Sequence, residues 1–192
     1  VDGKERLSYA ETYRRAEAVS SSLFALGVKS GDRVGVVMSK GCQQVLAHFG
    51  VLAAGAVMVP ISDLLKEDQV RYILHDCGIK VVIIDHDKIE RLGTDGQTVK
   101  ILEVGERGSV TSLGQEVGID LPEQRLDLIG QDNAAIIYSS GSTGMPKGIV
   151  LSHRNLWDGA RIISAYLGLQ SDDRLAQVLS LNFDYGLNQV FG

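Results

Sequence analysis

One short segment of the sequence concentrates the residue types that bind phosphate. Residues 138–148 read Tyr-Ser-Ser-Gly-Ser-Thr-Gly-Met-Pro-Lys-Gly, with three glycines, four Ser or Thr hydroxyls and one lysine. Because glycine has no Cβ, neighbouring backbone N–H groups can turn toward a common anion, while the hydroxyls add donors and Lys147 adds a mobile positive charge. By composition alone, the segment fits a Gly/Ser surface turn equally well. The order of the residues has to decide between these two interpretations.

That order excludes the commonest phosphate-binding loop. A Walker A loop ends in Gly-Lys followed by Ser or Thr, whereas Lys147 is followed by Gly148 and Ile149. An apolar, strand-like run also lies on both sides of the segment, where a P-loop is followed directly by a helix. We therefore do not expect a GTPase or a P-loop ATPase.

The order instead resembles the signature loop of the adenylate-forming superfamily. This superfamily holds acyl-CoA synthetases, aryl-CoA ligases, firefly luciferases and the adenylation domains of peptide synthetases. The likeness extends through the Ile-Val-Leu-Ser-His-Arg-Asn-Leu that follows, and residues 7–9, 31–34 and 53–60 resemble earlier family segments in the family's order. The resemblance covers nearly the whole chain. Its departures are Ser142, where Thr is commoner, and Met58, where an aromatic residue is common, and neither removes a hydroxyl or a charge from the loop.

The resemblance implies a two-step reaction. Members of the superfamily join a carboxylate to ATP, release pyrophosphate, and pass the acyl group to a thiol, usually that of coenzyme A or a carrier-protein arm. Because a carboxylate attacking a polyphosphate brings anion to anion, the phosphates must be neutralised and positioned. By similarity, the loop would hold the β- and γ-phosphates with Mg²⁺ sharing their charge, and Lys147 would stabilise the departing pyrophosphate. The residues assigned to ATP are Ser139, Ser140, Gly141, Ser142, Thr143, Gly144 and Lys147, with Ser140, Ser142 and Thr143 as hydroxyl donors and Gly141 and Gly144 permitting close backbone approach.

The resemblance also implies that further parts of such an enzyme lie beyond this sequence. In the family, the adenine-binding segment, the ribose-binding Asp, the hinge and the catalytic C-terminal Lys all lie further along the chain. We therefore expect residues 1–192 to be the N-terminal part of the AMP-binding large domain, with a softer subdomain boundary near 121–132 and the C-terminal lid domain absent. We also expect this part alone not to complete the adenylation.

Residues 181–187, Leu-Asn-Phe-Asp-Tyr-Gly-Leu, bear on the acid that is activated. They stand where the family begins to line its acyl pocket, so Phe183, Asp184 and Tyr185 are candidate substrate residues. Phe-Asp resembles the amino-acid-activating members, whose carboxylate pairs with the substrate amine, whereas Tyr-Gly-Leu also fits the acyl-CoA ligases. Asp184 could equally cap a turn and face solvent. We expect an acyl-CoA ligase, with an amino-acid adenylation enzyme that loads a carrier protein as the alternative, and a catalytically silent nucleotide-binding module as the alternative of another class.

The elements that must position these residues follow from hydrophobic periodicity. Helical segments alternate with short β-branched runs, which predicts an α/β fold with a helix-covered, largely parallel sheet. A capping box at residues 8–11 opens a first helix with Tyr9, Tyr13, Ala16, Leu23 and Leu26 near one stripe. Strands are predicted at residues 33–38, 57–61, 81–85, 100–104, 134–139, 149–151 and 175–181, and helices at 43–54, 66–77 and 152–167.

Composition gives the setting for this chemistry. The chain has 192 residues, 44% of them hydrophobic, and a net charge of −5, so nothing favours nucleic acid or an anionic membrane as partner. No apolar run approaches the ~20 residues of a membrane span. Cys42 and Cys77 have neither CxxC spacing nor clustered histidines, which favours two thiols in a reducing compartment. With the use of ATP, this predicts a cytoplasmic protein. We expect Trp157 to lie in the core, and the four histidines to serve packing, surface or helix-capping roles.

Overall fold

A computed structural model of the chain describes residues 5–92, 99–105, 110–112, 115–116, 127–139 and 146–191. Helices and strands alternate along most of this length. The helices are α1 (Tyr9–Ala25), α2 (Cys42–Ala53), α3 (Glu67–Asp76), α4 (His153–Leu167) and α5 (Asp184–Phe191), with a 3-10 helix at His86–Leu92. The strands are β1 (Arg33–Val37), β2 (Val57–Pro60), β3 (Val81–Ile84), β4 (Lys100–Val104), β5 (Val110–Ser112), β6 (Gln115–Glu116), β7 (Asn133–Ser139) and β8 (Lys147–Ser152).

The described strands form one sheet in the order β6-β5-β4-β3-β1-β2-β7-β8. Its middle is parallel: β1 pairs with β2 and β3, β3 with β4, and β2 with β7. The outer pairs β4–β5, β5–β6 and β7–β8 are antiparallel. Because parallel strands are joined by crossover helices that cover both faces, β2 and β3 are buried throughout, as their uninterrupted apolar sequences predict. The predicted α/β fold class is confirmed.

Two hydrophobic clusters separate the faces of this sheet. On one face, α1, α2 and α5 pack against residues such as Val34, Val36, Ala135 and Ile137. On the other face, α3 packs against Val37, Val59, Val82 and their neighbours. Alternate residues of each strand therefore point to different helices, as the two-residue period of a strand requires.

Local signals set the helix ends. The Ser8 side chain accepts a hydrogen bond from the Glu11 backbone at the start of α1, and the Ser152 side chain does the same for Asn155 at the start of α4. At the end of α4, Gly168 adopts φ 66°, the left-handed conformation that glycine reaches without a steric cost.

Most predicted boundaries agree with the structure. The strands expected at 33–38, 57–61, 81–85, 100–104 and 134–139, and the helices at 43–54, 66–77 and 152–167, each end within one residue of an observed element. Pro60 is the last residue of β2, which is one of the positions that a proline tolerates in a sheet.

Four expectations were wrong. Residues 175–181 form no strand, and the short strands β5 and β6 follow β4 where none was predicted. In α1, Tyr9 and Tyr13 are 97% and 66% exposed, so the buried stripe begins only at Ala16. Trp157 is 69% exposed on α4 rather than part of the core. For the two tyrosines and Trp157, apolar character was read as burial, although the partner that would cover each side chain has to come from the tertiary fold.

The described residues contain neither a membrane-spanning helix nor a disulfide. Within the described ranges, no helix is both long and apolar enough to cross a membrane. Cys42 and Cys77 form no disulfide, and Cys77 is buried.

Candidate functional site

The two ends of the glycine- and hydroxyl-rich segment, residues 138–148, lie on neighbouring antiparallel strands that form a β-hairpin. Strand β7 ends at Ser139 and β8 begins at Lys147, and these two residues are directly opposite each other in the antiparallel ladder. The next pair along the ladder is Tyr138 with Gly148. Five of the predicted ATP residues, Ser140, Gly141, Ser142, Thr143 and Gly144, lie outside the described residues. What the structure describes is therefore the base from which they start and to which they return.

This base lies at the carboxyl edge of the parallel strands. Strand β7 runs parallel to β2, with Met58 opposite Ala135, so Ser139 stands at the same edge as the ends of β1, β2 and β3. Ala135 and Ile137 belong to the face that also carries Leu181 and Leu187 of the α5 region. Because side chains alternate along a strand, Ser139 and its cross-strand partner Lys147 point to that same face. The hairpin base and the start of α5 thus lie on the same face of the sheet.

Lys147 supplies the positive charge of residues 138–148. Its side chain is exposed, and it makes no ion pair with any carboxylate in the part of the chain that the structure describes. An uncompensated ammonium group at the mouth of a glycine- and hydroxyl-rich segment fits a polyphosphate, for which lysine acts as a mobile point charge. No group of three His, Cys, Asp or Glu side chains within the described ranges lies close enough to hold a metal ion.

Tyr138 ties the hairpin base to the other face of the sheet. Its hydroxyl donates a hydrogen bond to the Asp76 carboxylate at the end of α3, and it lies 3.2 Å from the Cys77 Sγ. Burial raises the pKa of Tyr138, and the hydrogen bonds to Asp76 and Cys77 raise it further. Burial likewise raises the pKa of the Cys77 thiol. Both groups are therefore protonated at neutral pH, which makes Tyr138 a hydrogen-bond donor and not a base.

The predicted substrate residues stand at the start of α5. Phe183, Asp184 and Tyr185 are all exposed, and the Asp184 Oδ1 accepts a hydrogen bond of 2.8 Å from the Tyr185 backbone. The neighbouring Asn182 is buried, and its Oδ1 accepts a hydrogen bond of 3.3 Å from the Gln44 Nε2 on α2. The chain that leads into Phe183 is therefore anchored to α2, while the Asp184 carboxylate is open to a ligand or to solvent.

Sequence reasoning missed the polar groups on the buried side of α2. Gln44 and His48 are one helical turn apart, and both are almost fully buried. The Gln44 Oε1 and the His48 Nε2 have no hydrogen-bond partner among the described residues. Burial lowers the pKa of His48 to about 3, so its imidazole is neutral. The available signal was two polar residues at i and i+4 on the inner stripe of an apolar helix, a spacing that puts them on one face.

A second missed cluster joins the carboxyl ends of the three central strands. The Lys88 Nζ donates to Asp63 and to Asp85, each at 2.9 Å, and also to the Ser39 hydroxyl. The Asp85 carboxylate in turn accepts the Ser39 backbone N–H at 2.7 Å. Burial lowers the pKa of Lys88, but the hydrogen bonds to Asp63 and Asp85 outweigh burial and leave that pKa raised. One ammonium group therefore joins two carboxylates, and the cluster braces the ends of the three strands.

His153, which follows β8, helps to join α4 to the start of β7. His153 opens α4, and its backbone N–H donates to the Asp132 carbonyl at 3.0 Å, which fixes the helix start to the beginning of β7. Burial lowers the pKa of His153, although the Asp132 carboxylate opposes this shift. Its neighbour Ser152, and not His153 itself, supplies the cap of α4.

Comparisons with known proteins agree with this geometry. The family model described as "AMP-binding enzyme" matches residues 1–192. The anguibactin system regulator of Vibrio anguillarum is 32% identical over 193 residues, covering 100% of this chain but only 17% of the relative's own length. The chain therefore spans about a sixth of that curated relative.

Two solved structures show the same fold. The nonribosomal peptide synthetase FmoA3, in its form bound to alpha-methyl-L-serine-AMP, superposes with a TM-score of 0.82 at 28% identity, covering 100% of this chain and 20% of that one. MatB of Rhodopseudomonas palustris superposes with a TM-score of 0.85 at 26% identity, covering 97% of this chain and 38% of that one. The family match over the full chain, the signature segment at a sheet edge and these likenesses together establish that the chain belongs to the AMP-binding enzyme family of adenylate-forming ligases.

Proposed function

We propose that the protein containing this chain activates a carboxylic acid with ATP, forming an acyl adenylate and releasing pyrophosphate, and then passes the acyl group to a thiol. The observation that carries this proposal is the Ser139–Lys147 pair at the end of the β7–β8 hairpin. It gathers the two ends of a segment rich in glycines and hydroxyls at the carboxyl edge of a parallel sheet. Ligands of open α/β sheets bind in the crevice outside that edge.

In this proposal, each part of the segment has a separate task. Lys147 places its ammonium group against the β- and γ-phosphates, which weakens their repulsion of the incoming carboxylate and stabilises the charge on the leaving pyrophosphate. Ser139, Ser140, Ser142 and Thr143 donate hydroxyl hydrogen bonds to phosphate oxygens, and Gly141 and Gly144 let the backbone approach. When bound, Mg²⁺ would neutralise part of the charge of the phosphates.

We further propose that the activated acid is an amino acid. The support is Phe183-Asp184 at the start of α5, on the sheet face that the hairpin base shares, together with the likeness to a peptide synthetase whose bound ligand is an amino-acyl adenylate. The Asp184 carboxylate is exposed and forms no ion pair with any described residue, so it can meet a substrate ammonium directly. A carboxylate at this position offsets the cost of burying an ammonium group in the pocket. The thiol acceptor would then belong to a carrier protein.

A CoA-dependent acyl ligase is the second candidate. It is favoured by Tyr185-Gly186-Leu187, which fits the acyl-CoA ligase pattern. In this case Asp184 needs no ammonium partner, and its hydrogen bond with the Tyr185 backbone at the first turn of α5 accounts for it.

ATP–pyrophosphate exchange by the full-length protein tests the proposal. The panel contains fatty, aryl and amino acids, each assayed with and without Mg²⁺. Exchange that depends on an amino acid supports the first candidate, and exchange with a simple carboxylic acid supports the second. Absence of exchange with every acid, despite ATP binding, would favour a silent nucleotide-binding module and end the proposal.

A charge-neutral substitution isolates Asp184. If Asp184 binds the substrate ammonium group, Asp184→Asn removes the charge at constant size. It should then raise the KM for the amino acid by ~10- to 100-fold, the equivalent of one lost charge-assisted hydrogen bond. Asp172→Asn is the matched control, because Asp172 is also an exposed carboxylate shortly before α5. An unchanged KM in the Asp184 variant would remove it from the site. The isolated chain of residues 1–192 should form no acyl adenylate with any acid.

A further inference from the structure

The outer end of the β7–β8 hairpin has few backbone partners. The recorded pairing of β7 with β2 is Met58 opposite Ala135, four residues before Ser139. Beyond that point, the described partner of β7 is β8, an edge strand whose Ile149 and Val150 are more than half exposed. A ribbon of two strands is marginally stable in water. The positions of Ser139 and Lys147 relative to the sheet therefore depend on the contacts that neighbouring side chains make with the rest of the fold.

Tyr138 is the side chain that reaches from this ribbon to the body of the fold. Its ring lies across Gly148, where an added Cβ would come within 3.3 Å of the Tyr138 Cζ and 2.8 Å of the Ile136 Cγ2. The absence of a side chain at position 148 is what lets the ring lie there. Gly148 thus leaves the space that the Tyr138 ring occupies, in addition to any conformational freedom that it gives the backbone.

The far end of the ring is held by the last turn of α3. The phenol has one proton, and it donates that proton to the Asp76 carboxylate, so the Cys77 thiol, 3.2 Å away, is the donor to the phenol oxygen. The same turn is fixed to the sheet because the Arg33 Nε donates to the Cys77 carbonyl at 2.7 Å. A continuous chain of contacts therefore runs from β1 through α3 to the residue before Ser139.

We propose that Tyr138 is a positioning residue of the nucleotide site: clamped between Gly148 and the Asp76–Cys77 turn, it fixes the place of the Ser139–Lys147 pair relative to the sheet. The inference rests on the proposed function, because it assigns Lys147 to the phosphates of ATP. The side chain of Tyr138 points to the α3 face, away from the face of Lys147 and α5, so it acts through the hairpin and not by touching the ligand.

This geometry predicts a selective kinetic effect. Tyr138→Phe keeps the ring over Gly148 but removes the donor to Asp76, so the hairpin end can shift while the rest of the sheet remains packed. A misplacement of about 1 Å at a positioning residue can cost up to ~100-fold in rate. We expect the KM for ATP in pyrophosphate exchange to rise roughly tenfold, with the KM for the acid unchanged and the melting temperature within a few degrees of wild type.

Three further variants separate positioning from general stability. Asp76→Ala should reproduce the effect of Tyr138→Phe, and the double variant should be no worse than either single one, because both remove the same hydrogen bond. Asp76→Asn keeps an acceptor oxygen and should retain most of the wild-type KM for ATP. Tyr72→Phe is the matched control, since Tyr72 is a partly buried tyrosine of α3 packed against the same cluster.

The outcomes distinguish this inference from the function on which it rests. If the wild-type protein shows no exchange, the proposed function fails. If the wild type exchanges but Tyr138→Phe has a wild-type KM for ATP, Tyr138 is not a positioning residue. A lower melting temperature together with a rise in both KM values would show that the clamp only stabilises the fold, and this also overturns the inference.

Discussion

The buried histidine of α2 makes the stability of this region depend on pH. His48 is 2% exposed, and its Nε2 finds no partner among the described residues. Burial lowers the pKa of His48 from the ordinary 6.5 to about 3. Between these two values the unfolded chain binds a proton that the folded helix does not. The free energy of unfolding therefore falls as the pH drops below 6.5, and the full contribution of His48 is present only above that pH.

The size of this effect follows from the two pKa values. At pH 7.5 the histidine is neutral in both states and contributes almost nothing to the pH dependence. At pH 5 the difference in proton binding between the states costs the folded form about 2 kcal/mol, or roughly 30-fold in the opening equilibrium. His48→Leu removes the titrating group and fills a similar volume. It should abolish this difference, and at neutral pH it should leave stability unchanged or slightly higher because it also removes an unpaired polar atom.

Hydrogen exchange of the α2 amides measures this opening in the full-length protein. Wild type and His48→Leu are compared at pH 5 and at pH 7.5, so that the intrinsic pH dependence of exchange cancels between the two proteins. His75→Leu is the control, because His75 is exposed on α3. Equal protection of α2 in wild type and His48→Leu at both pH values would refute the reasoning, as would an NMR titration of the His48 imidazole near pH 6.5.

Two further predictions concern packing and charge. Gly50→Ala should lower the free energy of unfolding by ~1–3 kcal/mol, since the new Cβ would lie 2.5 Å from Val19 of α1. Gly159→Ala, the matched helical glycine, meets only the end of the Asn188 side chain and should be neutral or stabilising; equal losses in both variants would contradict this account. Lys88→Met should cost ~3 kcal/mol, because it leaves two carboxylates facing each other at the strand ends, and a melting temperature equal to wild type would exclude a bracing role.

The fold could be predicted to the extent that periodicity encodes it. Strands such as β2 and β3 are uninterrupted apolar runs of the length that a buried parallel strand needs, and their ends were placed to within a residue. Residues 175–181 are also largely apolar, although Gln177 and Ser180 interrupt the run. They form no strand, because a strand also requires a neighbour to accept its backbone hydrogen bonds, and none of the described strands pairs with them. The prediction for Trp157 failed for a related reason. Its residue type predicts burial, but its position on α4 leaves the side chain exposed.

The candidate site also has a part that local sequence predicts and a part that only the tertiary fold creates. The order of residues in the signature segment predicted Ser139 and Lys147 as ATP residues. The structure pairs the two residues across β7 and β8, and their role in binding ATP stays a prediction. The Asp76–Tyr138 bond joins residues 62 apart, and the Gln44–Asn182 bond joins residues 138 apart. No local pattern carries such pairings. They exist only because the sheet order brings α3 beside β7, and α2 beside the approach to α5.

The central claim is that Lys147 binds the phosphates that ATP has and AMP lacks. The most direct test is the affinity of the full-length protein for ATP and for AMP, measured by calorimetry in wild type and in Lys147→Ala. Loss of one charge-assisted contact should weaken ATP binding by ~10- to 100-fold and leave AMP binding within about twofold of wild type. Equal affinities of both proteins for ATP, or an equal loss for ATP and AMP, would contradict the assignment of the β7–β8 hairpin to the phosphates.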